Sequence, residues 1–237
     1  MKATLTRAAL TMGVCATLAG QSAVAEDGGP HTVTANFGVV SNYIWRGLTQ
    51  TDNQPAVQGG LDYSHASGLY AGAWVSNVDF GVGDDTNYEV DLKTGFGGAV
   101  NDDLRYDVNL LYVGYPDIDD ADMAELGGSV TYQFLTLGLS YTIYGQADNT
   151  EPYDVGDLYY NGALNFNLMY NLKLNVRAGY YDFDAPQVVD YTHWGLSVSR
   201  DAGDFGTVSL NYDQVDGDEP DMYDEDPKIW IGWNKTF

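Results

Sequence analysis

Apolar and polar residues alternate with a period of two through most of this chain, and no helical periodicity is sustained beside it, which restricts the fold to sheet. Val33, Ala35, Phe37, Val39, Tyr43 and Trp45 form a largely apolar face, while Thr34, Asn36, Gly38, Asn42 and Arg46 between them are small or polar. The same reading recurs over 57–63, 69–75, 88–96, 106–114, 126–134, 137–143, 160–168, 172–180, 192–198, 206–212 and 229–237, giving twelve strands. Short connections at 65–68, 99–103, around Leu135, 169–171 and 200–204 alternate with long ones at 47–54, 79–86, 116–123, 145–158, 182–190 and 214–227. An even strand count with turns at one end and loops at the other is the pattern of an outer-membrane barrel.

Alternation alone does not say whether the apolar face meets a dry core or lipid. Three features favour lipid over a soluble sandwich. Aromatics on that face gather at two heights: Tyr43, Trp45, Tyr88, Tyr112, Tyr160, Tyr180, Trp194 and Tyr212 by the loops, and Tyr63, Phe96, Tyr106, Tyr132, Phe134 and Phe166 by the turns. Two such girdles fit the two membrane interfaces. The opposite face carries Gly, Asn, Ser, Thr and charges, a costly dry core but an ordinary wet lumen. Finally Ile229, Ile231, Trp233 and Phe237 stand in phase in the final strand, resembling the signal read by the barrel assembly machinery; Lys235 breaks the phase where it can snorkel. The expected fold class is therefore all-β, a twelve-stranded antiparallel transmembrane β-barrel.

Lys2 and Arg7 precede an apolar stretch over residues 8–20 and the small-x-small run Ala23-Val24-Ala25, the order of a secretory signal peptide. The expected organisation is a signal peptide at 1–25, a short periplasmic lead at 26–31 and the barrel at 32–237. Removing the signal takes the only cysteine, Cys15, and moves the formal charge from −24 to −26. So acidic a chain is a poor partner for nucleic acid, and its 14% aromatic content is unlike a disordered acidic tail.

Strand parity puts Arg46, Lys93, Arg105, Lys173, Arg177 and Lys228 on the wet face with Asp62, Glu89, Asp91, Asp107, Glu125 and Asp213. These charges either pair across strands or line a water channel and set its selectivity. Lys93, Asp91 and Arg177 fall nearest mid-strand, where a constriction counts most; Arg46, Glu89, Glu125, Asp213 and Lys228 fall near the loops. Tyr70, Trp74, Tyr115, Tyr144, Tyr181 and Trp230 share that face as stacking surfaces or interior packing.

The six long connections hold 22 of the 34 acidic residues and no Lys or Arg. An acidic mouth concentrates cations. Two runs, Asp117, Asp119, Asp120 and Asp122, and Asp216, Asp218, Glu219 and Asp221, offer oxygen donors but lack the spacing of an EF-hand. No cofactor or dedicated metal is expected. Beyond the signal peptide the histidines are His31, His65 and His193, and none has the Ser and Asp spacing of a nucleophile, base and orienting group, so no enzyme is expected.

The segment Ser41-Asn42-Tyr43-Ile44-Trp45-Arg46-Gly47-Leu48-Thr49-Gln50, with Pro55-Ala56-Val57-Gln58-Gly59-Gly60-Leu61-Asp62-Tyr63 and Ser67-Gly68-Leu69-Tyr70-Ala71-Gly72 after it, resembles the TorF family of porin-like proteins, the proteobacterial family also known as Gcw_chp. The likeness is strongest over 32–80 and implies an outer-membrane location and a transport role, with no substrate or catalytic residues to carry over. Some relatives lie beside ammonium transporters, which suits a cation-attracting mouth. The motif itself reads as Tyr43 and Trp45 facing lipid at the upper girdle, Arg46 turning inward at the rim and Gly47 letting the chain leave the strand. The expected function is a diffusion channel for small cationic or neutral solutes in the outer membrane of a Gram-negative bacterium. The alternative is a closed or plugged barrel with a structural, adhesive or envelope-interaction role. Membrane lipid and the assembly machinery are the expected partners, and the oligomeric state is open.

Overall fold

The computed structural model describes residues 29–81, 86–147, 152–217 and 223–237. In chain order the strands are β1 (His31–Val40), β2 (Ile44–Trp45), β3 (Leu48–Thr49), β4 (Ala56–His65), β5 (Leu69–Asn77), β6 (Tyr88–Ala99) and β7 (Leu104–Gly114). They continue as β8 (Met123–Tyr132), β9 (Leu135–Gly145), β10 (Leu158–Asn167), β11 (Leu172–Asp182), β12 (Tyr191–Asp201), β13 (Thr207–Gly217) and β14 (Lys228–Thr236). Twelve of them, β1 and β4 to β14, pair antiparallel with their neighbours into a closed barrel, and β2 with β3 forms a separate hairpin. Closure leaves the barrel no unpaired edge.

Outside faces out as the alternation dictates. Val33, Val57, Leu61, Leu92, Val108, Val130, Leu137, Leu210 and Ile231 all stand exposed on the outer wall. A continuous apolar belt of this extent far exceeds the patch a water-soluble monomer presents, and it fits hydrocarbon instead. Tyr88, Tyr160 and Trp194 border the belt at the loop end, and Phe96, Tyr132, Phe134 and Phe166 at the turn end.

The first loop departs from the sequence reading. The alternation of β1 continues to Trp45, yet the chain leaves the wall after Val40 and turns into the barrel. Tyr43 and Trp45, expected to face lipid, are instead 3% and 6% exposed and packed inside. A large apolar residue, Ile44, stands between them and is also buried. Three bulky residues in a row cannot all be kept from water on a wall with one wet face, whereas a hairpin inside the lumen covers every side of them. At its tip Arg46 and Gly47 have φ of 47° and 89°. Two consecutive positive φ values in a two-residue connection are the type I′ pattern that matches strand twist. Gly47 also permits close approach: a Cβ there would lie 2.5 Å from His193 Cβ and 2.8 Å from Val215 Cγ2.

A second, smaller departure lies at β8 and β9. A bulge between Ala124 and Glu125 sets them against Tyr144 and Thr142, skipping Ile143. Parity slips past it, so Tyr144, expected on the wet face, is exposed while Thr142 is fully buried.

Candidate functional site: a lumen closed at one end

The hairpin divides the lumen. In the loop half, Tyr43, Ile44 and Trp45 join Leu111, Val113, Met123, Tyr159, Tyr181, Phe183, Tyr191, Val215 and Trp230 in one buried cluster. At its centre the Arg46 guanidinium donates to both oxygens of Glu125 on β8, at 2.7 and 2.5 Å. Such bidentate charge-assisted pairing fixes orientation as well as distance. Aromatic rings surround the cation, its Cζ lying 4.4 Å from the Trp45 ring centroid, 4.0 Å from Tyr159 and 5.2 Å from Tyr181. The Tyr181 hydroxyl donates to Glu125 as well, at 3.3 Å.

A second anchor holds the base of the hairpin. The hydroxyls of Tyr43 and Tyr115 each donate to Glu89 at 2.8 Å, one to each carboxylate oxygen, and Tyr43 packs edge-on against Trp74. Inside the loop, Asn42 donates to Asn53 at 3.0 Å and accepts from Thr49 at 2.7 Å. The Asp79 amide donates to the Gln50 carbonyl, tying this loop to the next. Beneath the tip, Tyr159 and His193 are linked at 2.8 Å with their rings nearly parallel. Arg177 donates to both Asp213 oxygens at 2.6 Å, and Trp230 Nε1 donates to the same carboxylate at 2.8 Å.

The turn half is built differently. Its inward side chains are mostly Asn, Ser, Thr and Gly, and large ones lie beside glycines on the adjacent strand. Asn109 pairs with Gly127, Asn161 with Gly138, Asp62 with Gly72 and Asp107 with Gly97. A Cβ on those glycines would come within about 3 Å of the neighbour's polar atoms. The side chains thus lie flat along the wall. Asp62 and Asn165 are exposed there, and Lys93, Asn109, Asn161 and Asn175 are half-buried.

The structure places the anticipated lumen residues unequally. Arg46 and Glu125 pair with one another, Arg177 pairs with Asp213, and Lys228 at the rim pairs with Asp224 of the last loop at 2.5 Å. Glu89 takes the two tyrosines, and Asp91 is buried beside Trp74 in the register. Asp107 Oδ1 accepts from Tyr70 at 2.9 Å and Asn109 at 2.8 Å. Lys93 lies 5.6 Å from the Tyr70 ring centroid, and Arg105 and Lys173 occupy inward positions near the turns. In the last strand Ile229 and Ile231 face outward, Trp233 Nε1 donates to the Phe205 carbonyl, and Lys235 lies over Phe237.

In the acidic loops, carboxylates organise backbone. Asp157 accepts from the amides of Tyr153, Asp154 and Asp184, and burial still raises its pKa. Asp122 accepts from the Tyr112 hydroxyl and the Tyr115 amide, and Asp117 from Asn87. Among the described residues no three His, Cys, Asp or Glu side chains gather as a metal site. Asp218, Glu219 and Asp221 of the second acidic run, like the 1–25 segment, lie outside the described residues.

A closed barrel with an apolar exterior and a polar interior defines the porin class of fold. Solved porins share it: the KdgM porin aligns with a TM-score of 0.54 at 7% identity, over 86% of this chain and 98% of that one. The NanC porin aligns with the same score at 11% identity, over 86% and 98%. A KdgM porin in complex with disordered oligogalacturonate aligns at 0.54 and 6% identity, over 86% and 97%. At such identities the likeness is one of fold. Residues 24–237 match the family described as "Bacterial protein of unknown function (Gcw_chp)", and the chain belongs to that family. No curated protein matches it.

Proposed function

We propose that this protein is an outer-membrane channel of porin type for small solutes, closed at its loop end by its own first loop. The observation that carries the reading is the Arg46–Glu125 latch at the centre of a buried plug, above a polar lumen that the plug does not fill. The porin fold and the TorF resemblance support transport. The apolar belt and secretory leader support the outer membrane, and the acidic loops support a cation-favouring entrance. On this reading conduction requires the hairpin to move. Breaking one partner of a buried ion pair costs about 3–5 kcal/mol, so removing the latch raises the open population far more than it harms the wall.

Planar-bilayer recordings of wild type and Arg46→Ala test this. Rare, brief openings in wild type and at least tenfold higher mean conductance in the variant are expected. A wild type as conductive as the variant would remove the plug. Silence from both, with heat-modifiable barrels intact, would remove the channel and leave the second reading, a closed structural barrel, which the fully buried loop-half cluster favours. In a salt gradient the reversal potential is expected to favour cations, less so as salt screens the loops.

A further inference from the structure

Two of the chain's three histidines meet at the turn-end rim of the barrel. His31 opens β1, His65 closes β4, and the two are register partners. The Ala66 amide donates to the Pro30 carbonyl at 2.7 Å. Bonded and non-bonded pairs alternate along an antiparallel ladder, so His31 and His65 occupy a non-bonded pair, where opposed side chains come closest. Their ring centroids are 4.9 Å apart. Both side chains are in phase with Val33 and Tyr63 on the outer face, and His31 is exposed at the edge of the wall.

We infer that His31 and His65 form a two-imidazole site for a divalent transition-metal ion of the copper, nickel or zinc kind. Imidazole is a side chain such ions favour, and three observations equip this pair to chelate. Each Nδ1 meets a hydroxyl, His31 that of Tyr63 at 2.8 Å and His65 that of Ser67 at 2.7 Å. Contacts of this kind orient a ligating ring. They leave both Nε2 atoms without a partner among the described residues. An ion bound to both nitrogens at about 2 Å needs them roughly 3 Å apart, which rings 4.9 Å apart between centroids reach when both nitrogens turn toward the gap. The Ser67 amide also donates to His65 Nδ1 at 3.1 Å. On binding, the ring proton moves from Nε2 to Nδ1, and the Ser67 hydroxyl accepts it. Water fills the remaining coordination positions. Calcium prefers oxygen ligands, so it does not compete for the pair. A bound ion ties β1 to β4 at the rim, and because the site lies outside the lumen it does not depend on conduction.

Electron paramagnetic resonance of the tag-free, detergent-refolded full chain, titrated with Cu²⁺ in excess Ca²⁺, tests it. The Ca²⁺ occupies loop carboxylates and leaves the imidazoles free. One equivalent of Cu²⁺ with nitrogen hyperfine coupling from two imidazoles is expected. His31→Gln and His65→Gln should each weaken that equivalent at least tenfold while heat-modifiable migration is kept. Absence of a Ca²⁺-resistant equivalent, coordination by oxygen alone, or a signal unchanged in either folded variant would overturn the inference. A barrel that conducts as Arg46→Ala but takes up no Cu²⁺ at this pair loses only the metal site. One that binds Cu²⁺ there and never conducts loses only the channel.

Discussion

The two halves of the lumen obey the same strand alternation and reach opposite results. Near the loops the inward positions are Tyr, Trp, Leu, Val and two embedded ion pairs, and a hairpin fills the space they leave. Near the turns they are Asn, Ser, Gly and charged residues such as Asp62, Asp107 and Arg105, and side chains beside the glycines lie along the wall. Barrel width is set by strand number and stagger and is common to both halves. What differs is whether the inward residues can coat a wall or must be covered. Aromatic rings facing a wet lumen need a partner, and the first loop supplies it.

Several substitutions would break or sharpen that contrast. The largest effect belongs to Arg46→Ala, which strands Glu125 and should cost about 3–5 kcal/mol in the plug, read as increased amide exchange over residues 42–50 with the β-strands still protected. Glu125→Gln keeps one acceptor for Arg46 and should cost less than Arg46→Ala in the same measurement. Next comes Gly47→Ala, which combines a positive φ with a Cβ driven into His193 and Val215; about 1–3 kcal/mol of strain should loosen the hairpin tip and raise conductance in the same direction. In the turn half, Asn161→Ala removes no side-chain hydrogen bond to another described residue and should change thermal stability by less than about 0.5 kcal/mol. A comparable loss there would mean the two halves share one packed core.

The smallest effect concerns pH. Lys228 donates to Asp224 and holds its carboxyl below the ordinary aspartate value. A depressed folded pKa contributes stability above the unfolded value that is lost as pH falls through the folded one. Because Asp224 is half exposed, solvent screening keeps the effect small. Acidification below the ordinary aspartate range should free the last loop around Tyr223, detectable as faster amide exchange there, without disturbing the hairpin. Tyr223 itself, pushed up to about 12 by burial, stays protonated throughout.

Strand number, order and the alternation of turns and loops were legible because period two and turn composition are local properties. The inward hairpin was not, since residues 41–45 remain in phase with β1 and parity has no term for a chain leaving the wall. A signal was present: Tyr43-Ile44-Trp45 is an unbroken bulky run, which marks burial on both faces, and Arg46-Gly47 after it can form a type I′ turn. Arg46 was assigned to the rim, and only the depth of the hairpin brings it to Glu125, 79 residues away. Tyr144 was misassigned because the bulge at Ile143 in its own strand shows only in the register against β8, beyond reach of a single-strand reading.

The seam between β1 and β14 is the shortest in the barrel, pairing Asn36 through Val40 with Thr236 through Gly232. Ala35 and Phe237 exchange amide and carbonyl just beyond it. Residues about two hundred positions apart must therefore meet before the sheet loses its last two free edges, those of β1 and β14. The ring shuts only when β14 is in place against β1, and the pairing of every other neighbour leaves it open. A cut anywhere in β14 would leave a chain able to pair eleven strands and unable to retire the last edge.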